Sequence, residues 1–315
     1  MSHSLASIGS FVTVTKLNEF VRHAAQELQG FAQLCNPPTG EGLGLKRGST
    51  MSMTFYGNLS TSGGVLLENE DIPEGSITPV SVSFTLKEYG NSTSWTGLLE
   101  ELAELDVESS FMQALVDDMR KSQNTAAFTE FDATKWIATF NSTADEFRTD
   151  GVAASFTNVA NEQLSRDNLR YLVRQARNRL IPYFDGESYV AVTGIDSSDA
   201  LRYDSNVQTP LREDSGRAAL NGEIGRIVQC RVIEDNHVIT KVGGSSTGDG
   251  AALDKTYLVG GDAVLNEYAL APEIRAQDSN FGRITQVAWY FIAAWKKIYS
   301  QDTNSKEHVI KVVSK

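Results

Sequence analysis

Catalysis needs a nucleophile or an acid/base pair held in a cleft, so the side chains able to supply one come first. The four histidines, His3, His23, His237 and His308, fall in an N-terminal arm, a helix, a turn and a terminal strand. None shares a recognisable motif with a nearby Cys, Asp or Glu, and all four read as surface or packed histidines. Neither Gly-x-Ser-x-Gly nor His-Glu-x-x-His occurs. Cys35 and Cys230 offer no metal-ligand spacing and read as buried thiols of a chain made in the cytosol. Asp196, Asp199 and Asp204 carry oxygen ligands for a cation, but the glycine and distal glutamate of a calcium loop are missing. Helix caps and turns suit those aspartates better. Gly40, Gly42, Gly44 and Gly48 hint at a phosphate loop, yet no strand precedes them and the spacing fits no nucleotide fingerprint. The stretch reads as a flexible connection. No catalytic residue, cofactor or metal is expected.

Two charge patterns carry more information. Arg166, Arg170, Arg174 and Arg177 recur at four- and three-residue steps and so share one helix face. Glu100, Glu104 and Glu108 do the same on a second predicted helix. Each stripe has two readings. One is a solvated face, worth little per charge; the other is a set of salt bridges between subunits that fixes their register.

The elements that must position these stripes can be read from hydrophobic period. Lys16 to Leu34 is an amphipathic helix stopped by Asn36-Pro37-Pro38. Met51 to Tyr56 opens an extended segment that turns at Ser60 to Gly64. Ile77, Val80, Val82, Phe84 and Leu86 alternate with polar residues, as a strand with one covered face does. From about Ser94 the period changes, and Leu98, Leu99, Leu102, Leu105, Phe111, Met112, Leu115 and Met119 form the stripe of one long helix. Short strands are expected at Trp136 to Phe140, Tyr189 to Thr193, Ile224 to Ile233 and Leu258 to Gly261, and a terminal strand at Val309 to Val313 pairing back onto the first unit. Helices are expected at Leu164 to Leu180, Asp199 to Tyr203 and Ala263 to Tyr268. Gly243 to Gly250 reads as an exposed loop. An isolated hairpin is marginal in water. The Leu66 to Ile77 region, with exposed Leu66, Leu67, Ile72 and Ile77, therefore either folds onto its own subunit or lies across an adjacent one, and its length and lack of self-closure favour the second.

A chain of 315 residues has room for about two domains, and 41% apolar residues suffice for a core. No run approaches the ~18 apolar residues of a membrane span, and Met1-Ser2-His3-Ser4 does not read as a secretion signal. The net charge of −12 disfavours a dedicated nucleic-acid binder. It is compatible with a container whose acidic wall lets packaged DNA slide.

Leu67-Glu68, Pro73-Glu74-Gly75, Leu86-Lys87-Glu88-Tyr89-Gly90 and Trp95-Thr96 resemble the extended loop and spine-helix entry of tailed-phage major capsid proteins, in the podophage-type branch of the Hong Kong 97 fold. The resemblance continues through Gly222-Glu223-Ile224-Gly225-Arg226-Ile227, Arg231-Val232-Ile233-Glu234, Val259-Gly260-Gly261-Asp262-Ala263 and Gln286-Val287-Ala288-Trp289, with Gln229 standing where a glycine is expected. It implies an α+β fold with an N-terminal arm and short helix (1–48), an extended β-hairpin loop (49–93), a spine helix and peripheral domain (94–160 with 281–315) and an axial domain (161–280). It further implies identical subunits in the hexamers and pentamers of an icosahedral shell, assembled in the bacterial host cytoplasm. Scaffold, cement or decoration and portal proteins are the implied partners, with double-stranded DNA packaged and contacted non-specifically; no membrane is involved. Two alternatives stand beside it: an encapsulin-like nanocompartment of the same fold, and a small-ligand-binding α/β enzyme built on residues 160–280.

Overall fold

The computed structural model describes residues 30–36, 50–56, 64–66, 71–72, 74–77, 79–103, 106–141, 145–149, 162–204, 223–235, 254–299 and 307–314. Its elements in chain order are β1 (Thr50–Tyr56), β2 (Pro79–Thr85), β3 (Lys87–Thr96), α1 (Gly97–Leu102), α2 (Val107–Asp132), β4 (Ile137–Thr139), β5 (Glu146–Arg148), α3 (Arg166–Asn178), β6 (Tyr189–Thr193), α4 (Ile195–Tyr203), β7 (Glu223–Ile227), β8 (Cys230–Glu234), β9 (Asp254–Val259), β10 (Val264–Ser279), β11 (Ile284–Lys297) and β12 (Val309–Ser314). A 3₁₀ turn, Phe31–Leu34, precedes them. The fold is α+β, as expected.

The strands form three sheets: β1-β2, β10-β11-β3, and a seven-stranded sheet in the order β5-β4-β12-β9-β6-β8-β7. Period-2 alternation gives the large sheet two apolar faces. Val190, Val192, Tyr257, Val259 and Val309 share one core with α2, β3, β10 and β11. Tyr189, Ala191, Leu258, Ile310 and Val312 share the other with Leu169, Leu172, Val173 and Ala176 of α3 and Leu201 of α4. Phe31 pins the entering chain into the first core, its ring 5.1 Å from Phe128, 5.3 Å from Phe131 and 5.4 Å from Tyr257.

The second layer is long. The 26 residues of α2 span roughly 39 Å, and they lie along the β10–β11 hairpin. Tyr89, Trp289, Phe291, Trp295 and Tyr268 line the contact as a run of stacked and edge-on rings. Asp118 of α2 ties helix to sheet by accepting from Trp289 Nε1 at 2.9 Å and Asn91 Nδ2 at 2.8 Å.

Several expectations need correction. The single helix from Ser94 is two helices with a break: Thr96 caps α1, Ala103 is extended, and Asp106 starts α2 by accepting the Ser109 N–H at 3.0 Å. Ala263 to Tyr268 is not helical but opens β10, with Val264 to Tyr268 paired against Lys297 to Ala293 of β11; pairing overrides a weak local preference. Ile224 to Ile233 is a two-strand hairpin rather than one strand. β4, β5 and β12 share a sheet with β6 to β9, while β10 joins β11 and β3. The chain changes between these sheets near Ala133, near Ala263 and again between Lys297 and Val309. Of the Lys16 to Leu34 helix only the last turn is described, and the glycine runs at 40–48 and 243–250 lie outside the described residues.

Candidate assembly surfaces

The β1–β2 hairpin is a two-stranded ladder that touches the body of the fold at β11. Thr50 faces Thr85 and Tyr56 faces Pro79, Thr54 Oγ1 and Ser81 Oγ sit 2.9 Å apart, and no third strand joins either edge among the described residues. Val82, paired with Met53 at the middle of the ladder, is buried. Beyond it Tyr56, Leu66, Ile72 and Ile77 are exposed, and Val65 is 96% exposed. Three of the four loop residues singled out in the sequence thus present apolar surface to solvent; Leu67 lies outside the described residues. Among the described residues, the finger's apolar loop side chains have no covering element, and a two-stranded ribbon is marginal by itself.

The arginine stripe is a single face. Ser165 caps α3 by accepting the Asn168 N–H at 3.3 Å, which sets Leu169, Leu172, Val173 and Ala176 inward and leaves Arg166, Arg170, Arg174 and Arg177 exposed. None of the four guanidinium groups is in an ion pair among the described residues. Arg174 lies over the Tyr171 ring at 5.4 Å and Arg177 over Tyr183 at 5.8 Å.

The glutamate stripe is not a face. Glu100 belongs to α1 and Glu108 to α2, across the break at Ala103–Asp106, and Glu104 lies outside the described residues. Glu100 is used within the fold, where its Oε2 accepts from the buried Trp95 indole at 3.0 Å. Trp95 in turn stacks on Phe111 at 5.5 Å. The signal for the break was present in Asp106, a preferred N-cap residue.

A feature that hydrophobic period does not reveal is the ionic joint at the carbonyl end of α2. Lys297 Nζ donates to Ala133 O and pairs with Glu307 Oε1 at 3.2 Å. Lys311 and Lys255 pair with Asp132 at 2.7 and 3.1 Å, and Tyr257 donates to the same carboxylate. Burial alone would raise the Asp132 carboxyl; the hydrogen bonds from Lys311 and Tyr257, with the charges of Lys311 and Lys255, outweigh it and hold the group at about 2. Cations at a helix C-terminus complement its dipole, and here they bolt α2 to β9, β11 and β12.

The residues considered for catalysis are scattered. His308 is buried, its Nδ1 against Gly261 O and its ring 4.1 Å from Tyr299; His3, His23 and His237 lie outside the described residues. Burial pushes the Cys35 thiol up to about 12 and raises Cys230 as well. Asp196 and Asp199 sit on the outer side of α4, and Asp204 accepts the Arg166 N–H at 2.9 Å. No three His, Cys, Asp or Glu side chains are grouped to hold a metal among the described residues. No described helix is long and apolar enough to cross a membrane.

The sequence matches no family model and no curated protein. Its fold, however, is that of solved phage shells. The chain is similar to the capsid of Ralstonia phage GP4 at 15% identity, with a TM-score of 0.69 over 95% of this chain and 94% of that one. It is similar to the capsid asymmetric unit of cyanophage Pam1 at 15% identity and a TM-score of 0.67, covering 99% and 98%. The acid-stable capsid of Helicobacter pylori bacteriophage KHP30 gives 16% identity and a TM-score of 0.65, again over 99% and 98%. The likeness runs the length of the chains and is one of fold.

Proposed function

We propose that this chain is the major capsid protein of a tailed phage, a structural subunit that assembles with identical copies into the hexamers and pentamers of an icosahedral shell around double-stranded DNA. The observation that carries the reading is the two-stranded β1–β2 hairpin, whose loop holds Val65, Leu66, Ile72 and Ile77 in solvent. In a shell that finger lies on an adjacent copy, and a heterologous contact repeated around a closed ring buries it at every position. The full-length fold likeness to phage capsid chains supports the same reading. The mechanism is burial of complementary surface between copies, followed by a maturation change of shape. The virion shell is the site of action, with assembly in the host cytoplasm, and scaffold, decoration and portal proteins are its natural partners there. Packaged DNA meets the shell through non-specific contacts.

Electron microscopy of the purified full chain tests this directly. Closed particles are expected. Deleting Gly63 to Gly75 should leave a soluble, folded protein that forms none, and particles from the deleted chain would overturn the role given to the hairpin.

A further inference from the structure

The turn of the β10–β11 hairpin, Asn280-Phe281-Gly282-Arg283, is built at an energetic disadvantage. Asn280, Phe281 and Gly282 all hold positive φ, at 52°, 57° and 79°. Asparagine and glycine tolerate that region, whereas a bulky L-residue is strained there. Phe281 is also 105% exposed, so the isolated chain gains nothing from the ring. The turn is tied to α1, because the Gly97 N–H donates to Arg283 O at 2.9 Å. On α1, Leu98 and Leu102 are 61% and 54% exposed. With Glu101 they occupy positions i, i+3 and i+4, one face of the helix. An aromatic knob beside a cation, Arg283, therefore lies at the same end of the molecule as an apolar ridge beside an anion, Glu101. All five side chains are exposed. Neither Arg283 nor Glu101 is in an ion pair among the described residues.

We infer that this end of the molecule is a second copy-to-copy contact, in which Phe281 of one copy seats on Leu98 and Leu102 of the next while Arg283 meets Glu101. The knob and the ridge complement each other in shape class and in charge, and both are carried by every copy, so the partner that fits is another copy of this chain. Knob and ridge lie side by side at one end of each copy, so every copy offers both halves to its neighbours and the contact closes around a symmetry axis. The contact is separate from the β1–β2 hairpin, and it deepens the shell reading on which it rests.

Phe281→Asn separates an assembly role from a folding role. Asparagine suits the left-handed turn, so the monomer should melt no lower than the parent. The lost knob should raise the protein concentration needed for particles, read by light scattering, roughly tenfold or more. A charge exchange tests the partner. Arg283→Glu and Glu101→Arg should each impair assembly, and the two together should restore it. Phe281→Asn particles at the parent concentration would overturn the contact. Failure of the double exchange to restore what each single reversal impairs would overturn Glu101 as the acceptor. If the parent chain itself forms no particles, the shell reading fails rather than this contact alone.

Discussion

At the residue scale, the positions with the clearest reasons are those where the backbone is crowded or twisted. The resemblance placed an expected glycine at Gln229, and the structure explains why a glycine would serve. Val228 and Gln229 form the two-residue turn between β7 and β8, with φ of 51° and 60°. Such a turn favours Asn-Gly, and Val at positive φ is strained. Replacing Val228→Asn together with Gln229→Gly should therefore stabilise the monomer by about 1 kcal/mol, measured by urea unfolding. Val259-Gly260-Gly261 was legible as a motif, but not its cause, which is long-range approach. Gly261 donates to Pro182 O at 3.0 Å, and a Cβ there would meet Tyr183 O at 2.7 Å. Asp132 was invisible in the sequence because its partners Lys255, Tyr257 and Lys311 come from distant strands. Its carboxyl is held at about 2 against an ordinary 3.8. A depressed folded value contributes stability above the unfolded value, and that contribution is lost as pH falls from 3.8 toward about 2. Asp132→Asn should be less stable than the parent at neutral pH and should lose less of its stability across that acid window.

At the element scale, amphipathic period located α3 because one of its faces is buried, and β6 was legible as a short apolar run because both of its faces are buried. It failed at α1–α2, where the apolar spacing runs on through a break made by the Asp106 cap. It failed again at β10, whose start is held as a strand by β11 and not by its own residues. The arginine face of α3 was legible from spacing alone, since Leu169, Leu172, Val173 and Ala176 fix which side is inward. Its glutamate counterpart was not, because a shared face needs one continuous helix. Arg170→Glu with Arg174→Glu should leave the monomer's melting temperature within a few degrees, as surface charges contribute little to folding. If the stripe meets a neighbouring copy, the same pair of reversals should abolish particles in the microscope. Normal particles would make it a solvated face.

At the scale of the whole molecule, the order of elements was readable and their grouping into layers was not. The terminal strand β12 pairs in parallel with β4 and antiparallel with β9, and no local pattern specifies those partners across such sequence separation. The expectation drawn from the sequence was a subunit completed by its neighbours. Among the described residues the structure has two cores, one on each face of the seven-stranded sheet, and the exposed loop residues of the finger join neither. The exposed side chains of that finger are explained only if something else covers them. Thiol labelling of Ile72→Cys measures this most directly, since Cys35 and Cys230 are both buried in the folded chain. The engineered thiol should react quickly in the monomer and become protected on assembly, slowed by roughly a hundredfold, in proportion to a covered apolar contact of about 3 kcal/mol. Equal labelling rates in monomer and particle would contradict the account.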